Sequence, residues 1–188
     1  MPVPWLDVFF WALVATTSLY VAMAVFTSRQ RFPRPAYMAT GMLAGFGYVG
    51  PRVLIPFLPQ PGLGLPDGVA LIAGGLVLAA GVGIVARVLA RLRAAGQGGE
   101  GPGPMLDDGL FGVVRHPMYL GDVLWPLGLG LMLDAAYAVA LVPLWWLLRA
   151  CLTFLEEERL IDKHGEAYRA YQARVPHRVL PLPGRRAG

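Results

Sequence analysis

An arginine–histidine pair and a run of three glutamates are the residues in this sequence best suited to chemistry. Arg115 and His116 stand at the start of an apolar stretch, and Glu156–Glu158 stand at its end. Histidine exchanges a proton near neutral pH, and arginine offers a fixed fork of hydrogen-bond donors to a carboxylate or phosphate. Because ionisable groups at the edge of an apolar segment commonly mark a functional site in lipid, we predict a membrane-embedded enzyme.

Each of these groups also has a structural explanation. Arg115 is explained by membrane topology alone, and His116 by capping of the helix that begins near Pro117. Adjacent residues of a helix point in different directions, so only one or two of the three glutamates can face the arginine–histidine pair. We expect the glutamates to end a helix, where a negative charge opposes the helix dipole and therefore indicates that a cationic group is bound.

Two more charged residues lie inside the same apolar stretch. Asp122 and Arg149 are at similar distances along the chain from a turn at Leu133–Ala135, so helices on either side of the turn would place them at similar depths. One explanation is an ion pair that hides both charges, and the other is that Arg149 contacts an anionic group of a substrate. Arg52, in an earlier apolar stretch, is expected to extend its guanidinium outward to the membrane surface.

The composition is that of a membrane protein. Of the 188 residues, 56% are hydrophobic and only 15% are charged, whereas soluble proteins carry about 25% charged residues. The net charge is +4, but the basic residues lie beside apolar stretches, which argues against a nucleic-acid partner. The single cysteine, Cys151, excludes a disulfide framework and a cysteine-based metal site, and we predict no bound metal. The scarcity of lysine, which occurs only as Lys163, indicates a prokaryotic protein.

Apolar runs of about 20 residues predict transmembrane helices, and the chain has five candidates. They are Trp5–Thr27, Ala36–Leu58, about Gly68–Leu89, about Met118–Leu133 and Ala136–Leu155. The last two form a hairpin, and Glu156–Arg174 predicts a polar cytoplasmic helix that ends before Pro176. The predicted fold is therefore all-α, a polytopic membrane protein with about five transmembrane helices. Small residues in the second and third helices predict close helix packing; they are Gly41, Gly45, Gly74, Gly75, Gly81 and Gly83.

The basic residues outside the spans predict an orientation. With five spans they all fall on one side, and the opposite loops, Pro59–Asp67 and the turn at Asp134, contain none. Because basic residues are retained in the cytoplasm, the N-terminus is predicted outside and the C-terminus inside. The glycine- and proline-rich stretch Gly96–Pro104 cannot hold a helix, and both a plain linker and a lid over a site remain open.

A spaced set of residues in the second half of the chain resembles a known family. Gly109–Gly121 contains the run Val-Arg-His-Pro-Met-Tyr, and after a hairpin the pair Glu156-Glu157 begins a second spaced set. That set continues with Leu160, Gly165, Tyr168, Tyr171, Val175 and Pro176. The combination is similar to the isoprenylcysteine carboxyl methyltransferase and phospholipid methyltransferase superfamily over about Leu106 to Pro181.

The resemblance implies an S-adenosylmethionine-dependent methyltransferase that releases S-adenosylhomocysteine and takes a lipophilic substrate from the bilayer. It also implies three groups of cofactor-binding residues. A loop that borders the cofactor contains Met105, Leu106 and Phe111, and a segment that wraps around it contains Arg115, His116, Pro117, Met118 and Tyr119. The polar end of the cofactor is bound by Glu156 or Glu157. Two positions depart from the family pattern. Phe111 stands where tyrosine is usual, and Asp107-Asp108 stands where Thr-Ser is usual.

The acceptor of the methyl group stays open among a carboxylate, an amine, a thiol and an isoprenoid. A carboxylate is already nucleophilic, whereas an amine or thiol must lose a proton, for which His116 or Asp122 is a candidate base. Asp122 and Arg149 are the candidate catalytic residues. Two other functions also remain open. One is a sterol-reductase-like enzyme with a reduced nicotinamide cofactor, although those enzymes are much longer, and the other is a non-catalytic membrane scaffold.

The expected organisation is one integral membrane domain, residues 1–188. Residues 1–95 supply three helices, and residues 96–188 supply the cofactor-binding loop, the hairpin and the C-terminal catalytic segment. The expected surroundings are the lipid bilayer of a prokaryotic inner membrane, with the active site facing the cytoplasm. No obligate protein partner and no nucleic acid are expected.

Overall fold

The computed structural model describes residues 4–27, 34–96 and 104–180, and its secondary structure there is entirely helical. The helices are α1 (Pro4–Thr27), α2 (Arg34–Leu54), α3 (Asp67–Ala94), α4 (Pro117–Met132), α5 (Ala136–Ala140), α6 (Val142–His164) and α7 (Glu166–Arg174), with short 3-10 turns at Ile55–Phe57 and Gly109–Gly112. Only Leu141 separates α5 from α6, so these two form one long helical stretch. The all-α prediction is confirmed. Most of the stretch Gly96–Pro104 lies outside the described residues.

Three helical stretches in the described part of the chain are long and apolar enough to cross a membrane: Trp5–Ala22, Asp67–Ala94 and Ala136–His164. They correspond to the first, third and fifth predicted spans. The fourth predicted span, α4, has 16 residues and so extends about 24 Å, short of a hydrocarbon core of about 30 Å. The second predicted span, α2, contains Pro51 and Arg52 and does not meet the same criterion.

The described chain groups into two compact units, residues 1–75 with 129–141 and residues 76–128 with 142–188. In the first unit α1 packs closely against α2, because Gly47 lets the backbone of α2 approach Ser18 of α1. Arg52 lies inside this unit with 2% of its surface exposed. Its guanidinium carbon lies 4.4 Å from the centroid of the Tyr48 ring. The expectation that Arg52 extends outward was therefore wrong, since an aromatic face within the unit contacts the cation.

The first unit also fixes the turn that follows α4. This turn spans Leu133–Ala135, as predicted, and Asp134 has a left-handed backbone with φ 52°. Its Oδ1 accepts a hydrogen bond of 3.0 Å from the backbone N–H of Leu63. The Oε1 of Gln60 accepts bonds of 2.9 and 3.1 Å from the first N–H groups of α5, at Tyr137 and Ala138. The loop after α2 thus satisfies helix donors that have no partner within the helix.

In the second unit, the close approach of α3 and α4 depends on glycine. A Cβ at Gly81 would lie 2.4 Å from the backbone nitrogen of Trp125, and one at Gly121 would lie 2.8 Å from the carbonyl oxygen of Gly81. The prediction of close packing is confirmed at Gly81. It was wrong, within the described residues, at four other positions, where an added Cβ meets nothing within 4 Å; these are Gly41, Gly45, Gly75 and Gly83.

The long helix α6 passes through the glutamate run rather than ending at it. It continues to His164, about two turns beyond Glu156. The break falls at Gly165, whose φ of 58° favours glycine, and α7 then ends before Pro176, as predicted. The expected helix end at Glu156–Glu158 was wrong, because the residues that follow are mostly good helix formers. The inference of a bound cation from the helix dipole therefore fails, and the glutamates must be assigned from their contacts.

Candidate active site

The arginine–histidine segment is held by the chain that follows α7. The backbone N–H of Arg115 donates to the carbonyl of His177 at 2.9 Å, and that of His116 donates to the carbonyl of Arg178 at 2.7 Å. Pro117 then begins α4, where its missing N–H costs nothing and its fixed φ suits the first helical position. Two backbone hydrogen bonds and a helix start therefore fix both side chains.

Glu157 is the centre of a buried network in the second unit. Its Oε1 accepts a bond of 2.8 Å from Nε of Arg115 and lies 3.2 Å from Nε2 of His116. Its Oε2 accepts a bond of 3.0 Å from Gln172 and lies 3.2 Å from the guanidinium of Arg178. The side chain is only 4% exposed. Both oxygens are thus occupied by the protein itself, as a buried carboxylate requires.

Glu156, one residue earlier, is placed differently. Its Oε1 accepts a bond of 2.5 Å from the hydroxyl of Tyr119, and its Oε2 lies 3.3 Å from Nδ1 of His116. Its side chain is 31% exposed. Successive residues of a helix are rotated by about 100°, so the two carboxylates approach His116 from different sides. Only Glu156 of this pair keeps a partly open face.

The His116 imidazole lies between the two carboxylates and stacks on the Tyr119 ring, with the centroids 5.5 Å apart. A neutral imidazole can donate a hydrogen bond from one nitrogen only, whereas the imidazolium donates from both. Burial alone would lower the pKa of the His116 ring, but its bonds to Glu156 and Glu157 hold that pKa above the ordinary value. An arrangement in which both nitrogens face carboxylate oxygens thus favours the charged ring.

Asp122 and Arg149 form the ion pair that their positions in the sequence allowed. Nε of Arg149 lies 2.7 Å from Oδ2 of Asp122, and the indole N–H of Trp125 donates to Oδ1 of Asp122 at 3.4 Å. The guanidinium carbon of Arg149 lies 4.7 Å from the centroid of the Tyr119 ring. Since Tyr119 also bonds to Glu156, it joins this pair to the carboxylate network.

The loop before the arginine–histidine segment contacts α7. Met105 packs against the cluster of Tyr168, Tyr171 and Val175, and the carbonyl of Phe111 accepts a bond of 2.7 Å from the Tyr171 hydroxyl. Burial raises the pKa of that hydroxyl to about 12, so it remains a donor at ordinary pH. Leu106 and Met118, also predicted for the site, are half-buried.

The two aspartates that depart from the family pattern each meet an arginine. Asp107 pairs with Arg174 at the end of α7, and Asp108 lies 2.5 Å from the guanidinium of Arg91 near the end of α3. The hydrogen bond from Arg91 holds the pKa of the Asp108 carboxyl below its usual range. The acidic loop is therefore tied to helices on both sides.

The structure brings five of the predicted residues into one network: Arg115, His116, Tyr119, Glu156 and Glu157. The sequence reasoning missed Gln172 and Arg178, which bind Glu157, and treated Arg178 only as a topology charge. A signal existed for Gln172, since it follows Tyr168 by four residues and so shares the buried face of α7. No local pattern marks Arg178, because its contact depends on how the chain turns after Pro176.

Comparison with known families settles the family. Residues 69–167, more than half of the chain, match the family described as Phospholipid methyltransferase. The chain belongs to the phospholipid methyltransferase family. The resemblance seen in the sequence is confirmed, and the match extends it back through α3. With its apolar helices, the chain is an integral membrane protein.

Two curated relatives each match about two fifths of the chain. One is a Delta(14)-sterol reductase of Mus musculus, 35% identical over 82 residues, which are 41% of this chain and 19% of the reductase. Another is a protein-S-isoprenylcysteine O-methyltransferase of Schizosaccharomyces pombe, 31% identical over 81 residues, which are 42% of this chain and 34% of that enzyme. The matches thus span about a fifth and a third of those relatives. No solved structure matches the chain.

The network predicts that Glu157 contributes strongly to the stability of the protein and that its neighbour Glu158 contributes little. Glu157→Gln should destabilise the protein by about 3–5 kcal/mol, because it removes the charge that balances the buried Arg115. Glu158→Gln, the same change at an exposed position, should stay within about 0.5 kcal/mol of the parent. Denaturant or thermal unfolding in detergent measures both, and equal effects would contradict the central role of Glu157.

Proposed function

We propose that this protein is an S-adenosylmethionine-dependent methyltransferase acting on a lipophilic substrate at the membrane–cytoplasm boundary. The observation that carries the proposal is the partly open carboxylate of Glu156 beside the Tyr119 and His116 rings, in a chain of the phospholipid methyltransferase family. An acidic group flanked by flat rings suits a cofactor that combines a cationic amino acid with a nucleoside.

The residues of the site fit such a cofactor. Glu157 is occupied on both oxygens, whereas the partners of Glu156 are a hydroxyl and an imidazole that a ligand cation can replace. Glu156 is therefore the residue that would bind the cofactor's α-ammonium group. Met105, Leu106 and Phe111 would border the nucleoside, and the segment 115–119 would wrap the cofactor.

Bound S-adenosylmethionine would supply a methyl group made electrophilic by its sulfonium. The protein then has to align the acceptor with that methyl group and exclude water. Asp122, a candidate base, is bonded to Arg149 and Trp125, and both nitrogens of His116 face carboxylate oxygens, which favours its charged form. An acceptor that needs no deprotonation fits best. A prenylcysteine-like carboxylate meets this condition, and the name of the Schizosaccharomyces pombe relative supports it.

The name of the mouse relative supports a second candidate, a sterol reductase, for which we expect a reduced nicotinamide cofactor. Such a cofactor carries several negative charges. The group left partly open at the site is the carboxylate of Glu156, which would repel a phosphate group and attract an ammonium group. The partly open carboxylate therefore favours the methyltransferase.

Binding of S-adenosylhomocysteine tests this choice. Calorimetric titration of the detergent-solubilised protein should show binding, and Glu156→Gln should weaken it by about ten- to a hundredfold, the effect of losing a charged hydrogen-bond partner. Glu158→Gln is the matched control and should bind like the parent. A nicotinamide dinucleotide titrated in parallel should not bind. Binding of the dinucleotide alone would favour the reductase, and binding of neither would favour a non-catalytic scaffold.

Arg149 is the residue we assign to the acceptor. It is 15% exposed, contacts the Tyr119 ring face and is two helical turns from Glu156 on α6. One of its guanidinium edges is bonded to Asp122 through Nε. Arginine has five donors, so Asp122 can hold the side chain in place while other donors bind a carboxylate of the substrate.

A double substitution separates this role from simple charge pairing. Asp122→Asn and Arg149→Gln should each destabilise the protein, since each leaves a buried charge without its partner. The double variant should recover thermal stability and cofactor affinity. Its kcat/KM for an N-acylated S-prenylcysteine should nevertheless stay about ten- to a hundredfold below the parent, because the donor for the substrate is lost. A double variant as active as the parent would show that Arg149 is structural.

For the membrane arrangement we propose five crossing segments in one domain, residues 1–188, with the N-terminus outside and the C-terminus inside. The one-sided distribution of basic residues supports five. It requires α4, although short, to cross as the partner of α6, and α2 to cross as the partner of α1. From the arginine-rich composition we predict that this membrane is the inner membrane of a prokaryote.

Cysteine labelling tests the orientation. In a Cys151→Ser background, Leu63→Cys should react with a membrane-impermeant thiol reagent added to intact cells, because it lies in the loop predicted outside. Ala173→Cys, exposed on α7, should react only after permeabilisation. Reaction of both positions from the same side would contradict the five-span arrangement.

A further inference from the structure

The carboxylate that we assign to the cofactor already has a cation bound to it. Oε2 of Glu156 lies 3.3 Å from Nδ1 of His116, while Nε2 of the same ring lies 3.2 Å from Glu157. The ring is 6% exposed, so little water can replace either partner. The two contacts are satisfied together only by an imidazolium. The ring therefore carries the charge that a bound ammonium group would carry.

The charges around Glu156 and Glu157 leave little room for another cation. Two carboxylates face three cations: Arg115 and Arg178 on Glu157, and His116 between the two. Asp122 and Arg149, which lie on the far side of Tyr119, form a neutral pair. An ammonium group arriving at Glu156 would add a further positive charge in a poorly solvated site, which is unfavourable.

Of these cations only His116 can lose its charge, since an arginine stays protonated in proteins. Tyr119, stacked on the ring, donates its hydroxyl to Glu156 and adds no charge. Gln172 is neutral as well. Any adjustment of protonation must therefore occur on the imidazole.

We propose that the His116 imidazolium is a built-in substitute for the cofactor's ammonium group, and that binding of the cofactor displaces it from Glu156 and releases its proton to solvent. This inference rests on the proposed function. The charge balances, because one ammonium replaces one imidazolium and one proton leaves. Nε2 keeps its hydrogen and its bond to Glu157, and Nδ1 loses its hydrogen.

The sign of the pH dependence follows from this exchange. The contact with Glu156 favours the charged ring, so loss of that contact lowers the pKa of His116 in the complex. Between the two pKa values, binding releases up to one proton and affinity rises with pH by up to about tenfold per pH unit. Below that range the imidazolium competes with the cofactor for Glu156.

Calorimetry of the full chain in detergent tests the proposal. S-adenosylhomocysteine is titrated at several pH values in buffers of different ionisation enthalpy, which gives the number of protons released. We expect release approaching one proton around the pKa of His116. Methylthioadenosine, which has the nucleoside but no ammonium group, should bind without this release. His116→Gln should abolish the release, and His164→Gln, at the far end of α6, should preserve it.

Nitrogen NMR of the ring in the unchanged protein provides a readout that does not depend on variants. The His116 signals should show an imidazolium before S-adenosylhomocysteine is added and a neutral ring with a protonated Nε2 afterwards. Binding without proton release, or an imidazolium that persists in the complex, would overturn this inference and leave the proposed function standing. Absence of S-adenosylhomocysteine binding would overturn both.

Discussion

The buried carboxylate of Glu157 is the constraint on which the candidate site depends. Four side chains from three parts of the chain reach it: Arg115 and His116 before α4, Gln172 on α7, and Arg178 after it. A buried charge is costly unless opposite charges and hydrogen bonds compensate it. The requirement to compensate Glu157 therefore draws the segment after α7 against the arginine–histidine segment. Backbone hydrogen bonds at His177 and Arg178 then fix the contact.

Two adjacent residues thus have different roles: Glu157 stabilises the buried network, and Glu156 is the residue that we assign to cofactor binding. The helical rotation between Glu156 and Glu157 directs one carboxylate into the network and leaves the other partly open. His116 touches both, so the residue that completes the support also faces the open carboxylate. Tyr119 extends the connection to Arg149, which places a cation for the acceptor next to an anion for the cofactor. A negative charge on one side of the Tyr119 ring and a positive charge on the other suit a reaction between a cationic methyl donor and an anionic acceptor.

Local signals in the sequence predicted most of the helices, the turn at Leu133–Ala135 and the end of α7 before Pro176. The pairing of Asp122 with Arg149 was one of two explanations offered for their similar depths in a hairpin, and the structure shows it. The end of the fifth helix was misplaced, because charged residues were taken as a boundary although their helix propensity is high. Glu157 could not be distinguished from Glu156, and Arg178 was not recognised. Both depend on contacts between segments far apart in the chain, which no periodicity encodes.

The bonds between Arg115 and the segment after α7 have a consequence for the synthesis of the protein. Arg115 and the carbonyl of Val175, which accepts a bond of 2.6 Å from its guanidinium, are 60 residues apart in the chain. A growing chain therefore contains the arginine and the histidine well before it contains the residues that hold them. During that interval the buried carboxylate of Glu157 lacks two of its four partners, Gln172 and Arg178. A chain that stops before Val175 contains the Arg115–Glu157 pair but lacks Arg178 and the Val175 carbonyl, so the buried carboxylate and the arginine are each left incompletely bonded.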